Sequence, residues 1–97
     1  MAGYILVQVE IHDPVGFAKY RDMVPPTLEA YGGRYLVRGG DTETLEGDWN
    51  PSRLVVIEFD SVEQAKLWWD SKEYASAKKL RHETATSTMI VAQGMDN

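Results

Sequence analysis

The sequence contains no cysteine. Disulfide bridges, thiolate nucleophiles and cysteine-ligated metals are therefore excluded, and the composition fits a reducing compartment. No apolar run approaches the roughly 20 residues that a membrane-spanning helix needs. Met1-Ala2-Gly3-Tyr4 lacks a basic stretch followed by an apolar one, so it reads as the start of a strand and not as a signal peptide. The expectation is a cytoplasmic protein without a membrane partner. Positive charge is also scarce: ten Lys and Arg face fifteen Asp and Glu, for a net charge of -5. That balance argues against a phosphate backbone, and so against nucleic acid, as partner. Lys66, Lys72, Lys78, Lys79 and Arg81 fall close together but read as a solvated helix surface. Only two histidines occur, His12 and His82, without the spacing of metal ligands, so no metal site is expected. A Gly-x-Ser-x-Gly elbow, a phosphate loop and a dinucleotide fingerprint are all missing, and no cofactor is expected. Gly32-Gly33 and Gly39-Gly40 bracket a strand and read as turns.

What is present belongs to one globular domain of 97 residues, with 43% apolar and 10% aromatic residues. Tyr4 to Ile11 alternates, with Ile5, Val7, Val9 and Ile11 on one side and Gln8, Glu10 and His12 on the other, which makes a strand. Asp13-Pro14 opens a helix, and Phe17, Tyr20, Val24, Leu28 and Tyr31 follow at helical spacing. Pro25-Pro26 predicts a kink or short break, and Gly32-Gly33 an end. Arg34 to Arg38 is a second strand, Thr42 to Leu45 an additional hairpin arm, and Glu46 to Pro51 a turn. Arg53 to Phe59 is the third main strand. Ser61 starts a helix, with Gln64 placed for a capping box and Val62, Ala65, Trp68 and Trp69 forming a bulky face. Ser71 caps a helix from Lys72 to about His82, and Thr86 to Gln93 is the last strand. Strand, helix, strand, strand, helix, strand is the order of an α+β, ferredoxin-like βαββαβ sandwich spanning residues 1–97, with both crossover helices on one face.

The helices can cover only one face of such a sheet. Yet Val55, Ile57 and Phe59 are opposed by Leu54 and Val56, and Met89 and Val91 by Ile90 and Ala92. Strands apolar on both sides are covered on both sides. A second copy of the sheet would supply the cover, so a homodimer is expected.

Particular segments then carry a resemblance. Tyr31-Gly32-Gly33-Arg34-Tyr35-Leu36-Val37-Arg38-Gly39-Gly40, Leu45-Glu46-Gly47-Asp48, and Val56-Ile57-Glu58-Phe59-Asp60-Ser61, followed by Ala65, Trp68, Ser71, Glu73-Tyr74 and Arg81, resemble the family of domain of unknown function 1330 over nearly the whole chain. The resemblance implies a dimeric α+β barrel and no established reaction. The wider barrel superfamily holds cofactor-free monooxygenases, isomerases, haem-degrading enzymes and ligand-binding domains, so the fold does not fix the function.

Two groups of residues are candidates for chemistry. One is catalytic. His12-Asp13 could pair as acid and base at the mouth of the first strand, against the plainer reading of a surface histidine beside a helix cap. Parity along the strands places Glu10, Glu58 and Arg34 near one end of a shared sheet face, with Arg38 on that face as well. Two carboxylates short of positive charge would push one pKa up and make an acid–base site; the plainer reading is an ion network. The other group would bind a ligand. Tyr20, Trp68 and Tyr74 supply aromatic walls between helices and sheet, while Arg38 and Arg81 supply forks for a small carboxylate or aromatic ligand. Both Tyr74 and Arg81 match the resembled family. The function expected is a small-molecule pocket, for binding or cofactor-independent catalysis; the alternative is a structural or protein-interaction domain with no ligand.

Overall fold

In the computed structural model, which describes residues 1–95, the alternating segments form one four-stranded antiparallel sheet with three helices on one face. The elements are β1 (Gly3–Ile11), α1 (Pro14–Tyr31), β2 (Arg34–Arg38), β3 (Leu54–Phe59), α2 (Val62–Trp69), α3 (Lys72–Thr84) and β4 (Ala85–Gln93). Sheet order is β2-β3-β1-β4. This is the α+β, ferredoxin-like arrangement that the pattern of the sequence predicts. Ile5, Val7 and Val9 of β1 and Val55, Ile57 and Phe59 of β3 all face the helices and are buried. They pack under Val24 and Leu28 of α1, Trp68 of α2 and Tyr74 of α3. Each such side chain stabilises the fold by about 1.5–3 kcal/mol when fully buried.

The helix starts are fixed by side chains. Asp13 Oδ1 accepts from Gly16 N at 3.1 Å, Ser61 Oγ from Gln64 N at 3.0 Å, and Ser71 Oγ from Tyr74 N at 3.1 Å. The capping box at Ser61 is only half made, because the Gln64 amide instead donates to the Tyr31 carbonyl at 3.1 Å and ties α2 to the end of α1. That end is Gly32, at φ 73 in the left-handed region.

Four expectations need correction. Pro25-Pro26 makes no break in α1, which runs from Pro14 to Tyr31. The two prolines leave the carbonyls of Arg21 and Asp22 without their usual i+4 donors, and Arg38 Nη2 fills the first at 2.8 Å. Thr42 to Leu45 forms no strand. The connection instead sends Trp49 over the open face of the sheet, where its Nε1 donates to Gln8 Oε1. Trp69 is not part of the buried face of α2. It stays 43% exposed with Lys78 Nζ 3.9 Å from its ring centroid, while Trp68 is fully buried.

The fourth correction concerns β2. Arg34 pairs with Glu58 and Tyr35 with Ile57, but Val37 pairs with Val56 and Arg38 with Val55. One additional residue, Leu36, is accommodated as a β-bulge. Side-chain parity therefore reverses along this short strand. Arg34 lies on the open face with Glu58, and Arg38 lies on the helix face beside Tyr35.

Candidate functional site

The helix face of β1, β2 and β3 and the overlying α1 and α3 enclose a small cleft. Phe17, Tyr20 and Arg21 of α1 form its roof, Tyr35, Arg38 and Arg53 one side, and Arg81 its inner end. The space left is about 20 Å³, enough for roughly one water molecule. Two tyrosines and four arginines line it. Asp and Glu are absent from its lining among the described residues.

The inner end is built by α3. Ser71 caps the helix and sets the first turn, which buries Tyr74 completely against Trp68, with ring centroids 4.1 Å apart. Trp68 is held in turn by its Nε1, which donates to Thr27 Oγ1 at 3.0 Å. Two turns after Tyr74, Arg81 reaches back, and its Nε donates to the Tyr74 hydroxyl at 3.3 Å. The Tyr74 and Tyr20 hydroxyls lie 2.8 Å apart. Burial drives the Tyr20 pKa far up, so this phenol stays protonated and can only donate to or accept from a ligand as a neutral group. Arg81 is 4% exposed and makes no ion pair among the described residues.

At the mouth, Arg38 stacks on Tyr35, its Cζ 4.5 Å from the ring centroid, and donates to the Arg21 carbonyl. Arg53 lies with its Cζ 5.6 Å from the Phe17 ring centroid, and its buried Nε has no hydrogen-bond partner among the described residues. Burial first, then the charges of Arg21 and Arg38, lower its pKa. Burial also raises that of Tyr35, against the pull of Arg38.

Of the residues expected to bind a ligand, Tyr20, Arg38, Trp68 and Arg81 line this one cleft, while Tyr74 lies buried behind it, its hydroxyl bonded to Tyr20 and Arg81. The residues expected to be catalytic are not brought together. Glu58 pairs across from Tyr4 at one end of β1, whereas Glu10 pairs with Thr86 near the other. The convergence of Glu10, Glu58 and Arg34 is therefore wrong, because antiparallel pairing of β1 with β3 sends the two carboxylates to opposite ends. Arg34 Nε instead neutralises Glu58 at 2.6 Å, and that hydrogen bond, with one from Tyr4, lowers the Glu58 pKa. His12 Nε2 meets Thr86 Oγ1 at 2.6 Å, and Asp13 serves as the α1 cap; both are exposed and outside the cleft. Among the polar residues of the site, Arg21, Tyr35 and Arg53 were not anticipated. The signal for Arg53 lay in β3 itself, since it continues the face of Val55, Ile57 and Phe59.

A second hollow, of about 570 Å³, runs between β4 and the α2–α3 junction, lined by Trp69, Asp70, His82, Met89 and Val91, and Arg81 lines it too. It is wider, but its walls are mostly exposed and its charges mixed. Within it His82 has its pKa lowered by burial, then by Arg81 and Lys78. The enclosed cleft is the better candidate because its unpaired charges all have one sign. Among the described residues no cluster of His, Asp and Glu is assembled for a metal ion, and no helix is long and apolar enough to cross a membrane.

The shape of the chain is shared with several solved proteins. A Rhodopseudomonas palustris protein of unknown function superposes with a TM-score of 0.75 at 21% identity, over 99% of this chain and 84% of the other. A dimeric Bacteroides fragilis protein of unknown function and ferredoxin-like fold gives 0.64 at 15% identity, over 96% of each chain. SnoaB, a cofactor-independent oxygenase from Streptomyces nogalater, gives 0.58 at 9% identity, over 99% of this chain and 95% of its own. At these identities the likeness establishes the fold alone. No curated protein matches the sequence. The family model described as Domain of unknown function (DUF1330) matches residues 2–95, and the chain belongs to that family.

Proposed function

We propose that this protein is a homodimer that binds a small organic anion, a carboxylate with an apolar or aromatic body, in the cleft between helices and sheet. The observation that carries this reading is the gathering of Arg38, Arg53 and Arg81 around one enclosed space with no carboxylate among its described lining. Arg81 is buried and Arg53 half-buried; desolvated charge without a counter-ion is costly, and a ligand anion would offset that cost. Aromatic and aliphatic walls from Phe17, Tyr35 and Val55 suit the rest of such a molecule. Binding is favoured over proton-abstraction chemistry by the residues present. The cleft lining includes no histidine or carboxylate base among the described residues, and Tyr20 is held protonated. The cofactor-independent oxygenase of the same fold keeps catalysis as the second reading, with the Tyr20–Tyr74 hydroxyl pair as oxygen ligands.

The test is a titration of the ¹⁵N-labelled protein with acetate, benzoate and phenylacetate. Amide shifts should cluster at Val7, Val9, Tyr35 and Val55, which surround the cleft. Shifts confined to the Arg34–Glu58 face, or no saturable shifts at millimolar ligand, would defeat the reading and leave the alternative of a structural or interaction domain.

A further inference from the structure

We propose that Arg53 is the receptor for the ligand's carboxylate, with Arg38 as its second jaw, held in reserve on a backbone carbonyl that Pro25 leaves free. The inference rests on the anion-binding reading above and names the part of the cleft that recognises the charge.

Three independent features of the chain meet at this point. The first is Arg53 itself. Its Nε is buried without an acceptor among the described residues, although a guanidinium ordinarily satisfies its donors. The second is Gly39, which turns back from β2 at φ 74 and passes directly over the Arg53 guanidinium; a Cβ there would collide with it. The glycine lets the backbone pack on one part of the guanidinium while Arg53 still lines the cleft. The third is the position of Arg38. Its present partner, the Arg21 carbonyl, is available because Pro25 has no N–H to donate to it. A neutral carbonyl is a weaker acceptor for a guanidinium than a carboxylate is. An arriving carboxylate therefore takes Arg38 from Arg21. Arg38 is exposed, held by the Tyr35 ring and the Arg21 carbonyl. Its displacement from the mouth enlarges a space that now holds about one water. Two guanidinium groups then close on one carboxylate, and their mutual repulsion is relieved by the charge between them. The ligand class follows: a monocarboxylate whose apolar body points inward to Phe17 and Val55.

Calorimetric titration with benzoate, and with benzamide as its neutral counterpart, tests the assignment. Arg53→Met keeps the length of the side chain and removes the fork. It should weaken benzoate at least tenfold and change benzamide less than twofold. Without ligand its melting temperature should equal or exceed that of the wild type, since an unsatisfied charge has been removed. Arg53→Lys keeps the charge and should still lose most of the benzoate affinity, because an ammonium offers no planar fork. Pro25→Ala restores a competing N–H to the Arg21 carbonyl and should tighten benzoate. Should Arg53→Met bind benzoate as the wild type does, while the amides of Val7 and Val55 shift in both, the anion site stands and Arg53 is not its receptor. A ligand-free melting temperature far below the wild type would make Arg53 a structural residue and overturn the proposal. If benzoate moves no cleft amide of the wild type, the cleft reading and this inference fall together.

Discussion

At the scale of single residues, the site depends on groups that satisfy one another in sequence. Thr27 shows how tightly. Its hydroxyl donates to the Val24 carbonyl at 2.7 Å and accepts from Trp68 Nε1, both within the core. Replacing it with Val preserves shape but leaves the indole N–H unpaired, which costs about 1–3 kcal/mol. Urea denaturation of Thr27→Val should show that loss, with the slope of the transition unchanged. A neutral effect would mean that Trp68 finds another acceptor. Much of this residue scale was legible in the sequence. The pairing of Arg34 with Glu58 follows from antiparallel order, and Asp13 as a helix cap follows from the proline after it. Arg38 was placed on the wrong face because strict alternation was assumed through β2, and nothing in Arg34-Tyr35-Leu36-Val37-Arg38 marks Leu36 as the additional residue. The separation of Glu10 from Glu58 was legible in principle. It needed only the residue-by-residue register of β1 against β3, not the order of the strands.

At the scale of elements, caps and breaks were read more reliably from chemistry than from rules of thumb. The glycine end of α1 was legible because a left-handed cap requires it. Gly32 stands in open space, with no atom within 4 Å of a Cβ added there. Any cost of Gly32→Ala is therefore conformational alone, about 1–2 kcal/mol, and thermal unfolding should report it without any change in benzoate affinity. A larger loss would imply that the α1–β2 turn carries packing as well. The break allowed for at Pro25-Pro26 does not occur, although a proline pair in a helix interior usually stops it. Here α1 continues since Val24, Thr27 and Leu28 are all buried around the pair, and packing of the helix outweighs its missing hydrogen bonds. The polar segment Thr42 to Leu45 misled in the opposite sense. Its residues could pair as a strand, and the outer edge of β2 is free to receive one, yet the segment does not take it.

At the scale of the whole molecule, one sheet face is left uncovered by the chain's own helices. Leu6, Val37, Leu54, Val56 and Ile90 all lie on it, only part-buried or exposed. The proposed homodimer would cover it sheet to sheet, and light scattering should then give about twice the 11.0 kDa chain mass. Val56→Lys places a charge in the middle of that interface and should shift the protein to monomer, leaving the helix-side cleft and its amide shifts in place. A wild type that stays monomeric at micromolar concentration would require a different cover for the face. The β2 bulge carries a last consequence, for the order of folding. Continued without the additional residue, the register that begins at Arg34 opposite Glu58 would put Val37 among the core residues and Arg38 outside. That pairing obeys the apolar pattern better than the native one. The apolar pattern of the sheet alone does not favour the native end of this strand; the contacts of Arg38 on the helix side, with the Tyr35 ring and the Arg21 carbonyl, do. If those contacts set the register, the last two rungs of β2 should lock only after α1 has docked, and pulsed hydrogen exchange should protect the amides of Val37 and Arg38 later than those of β1 and β3.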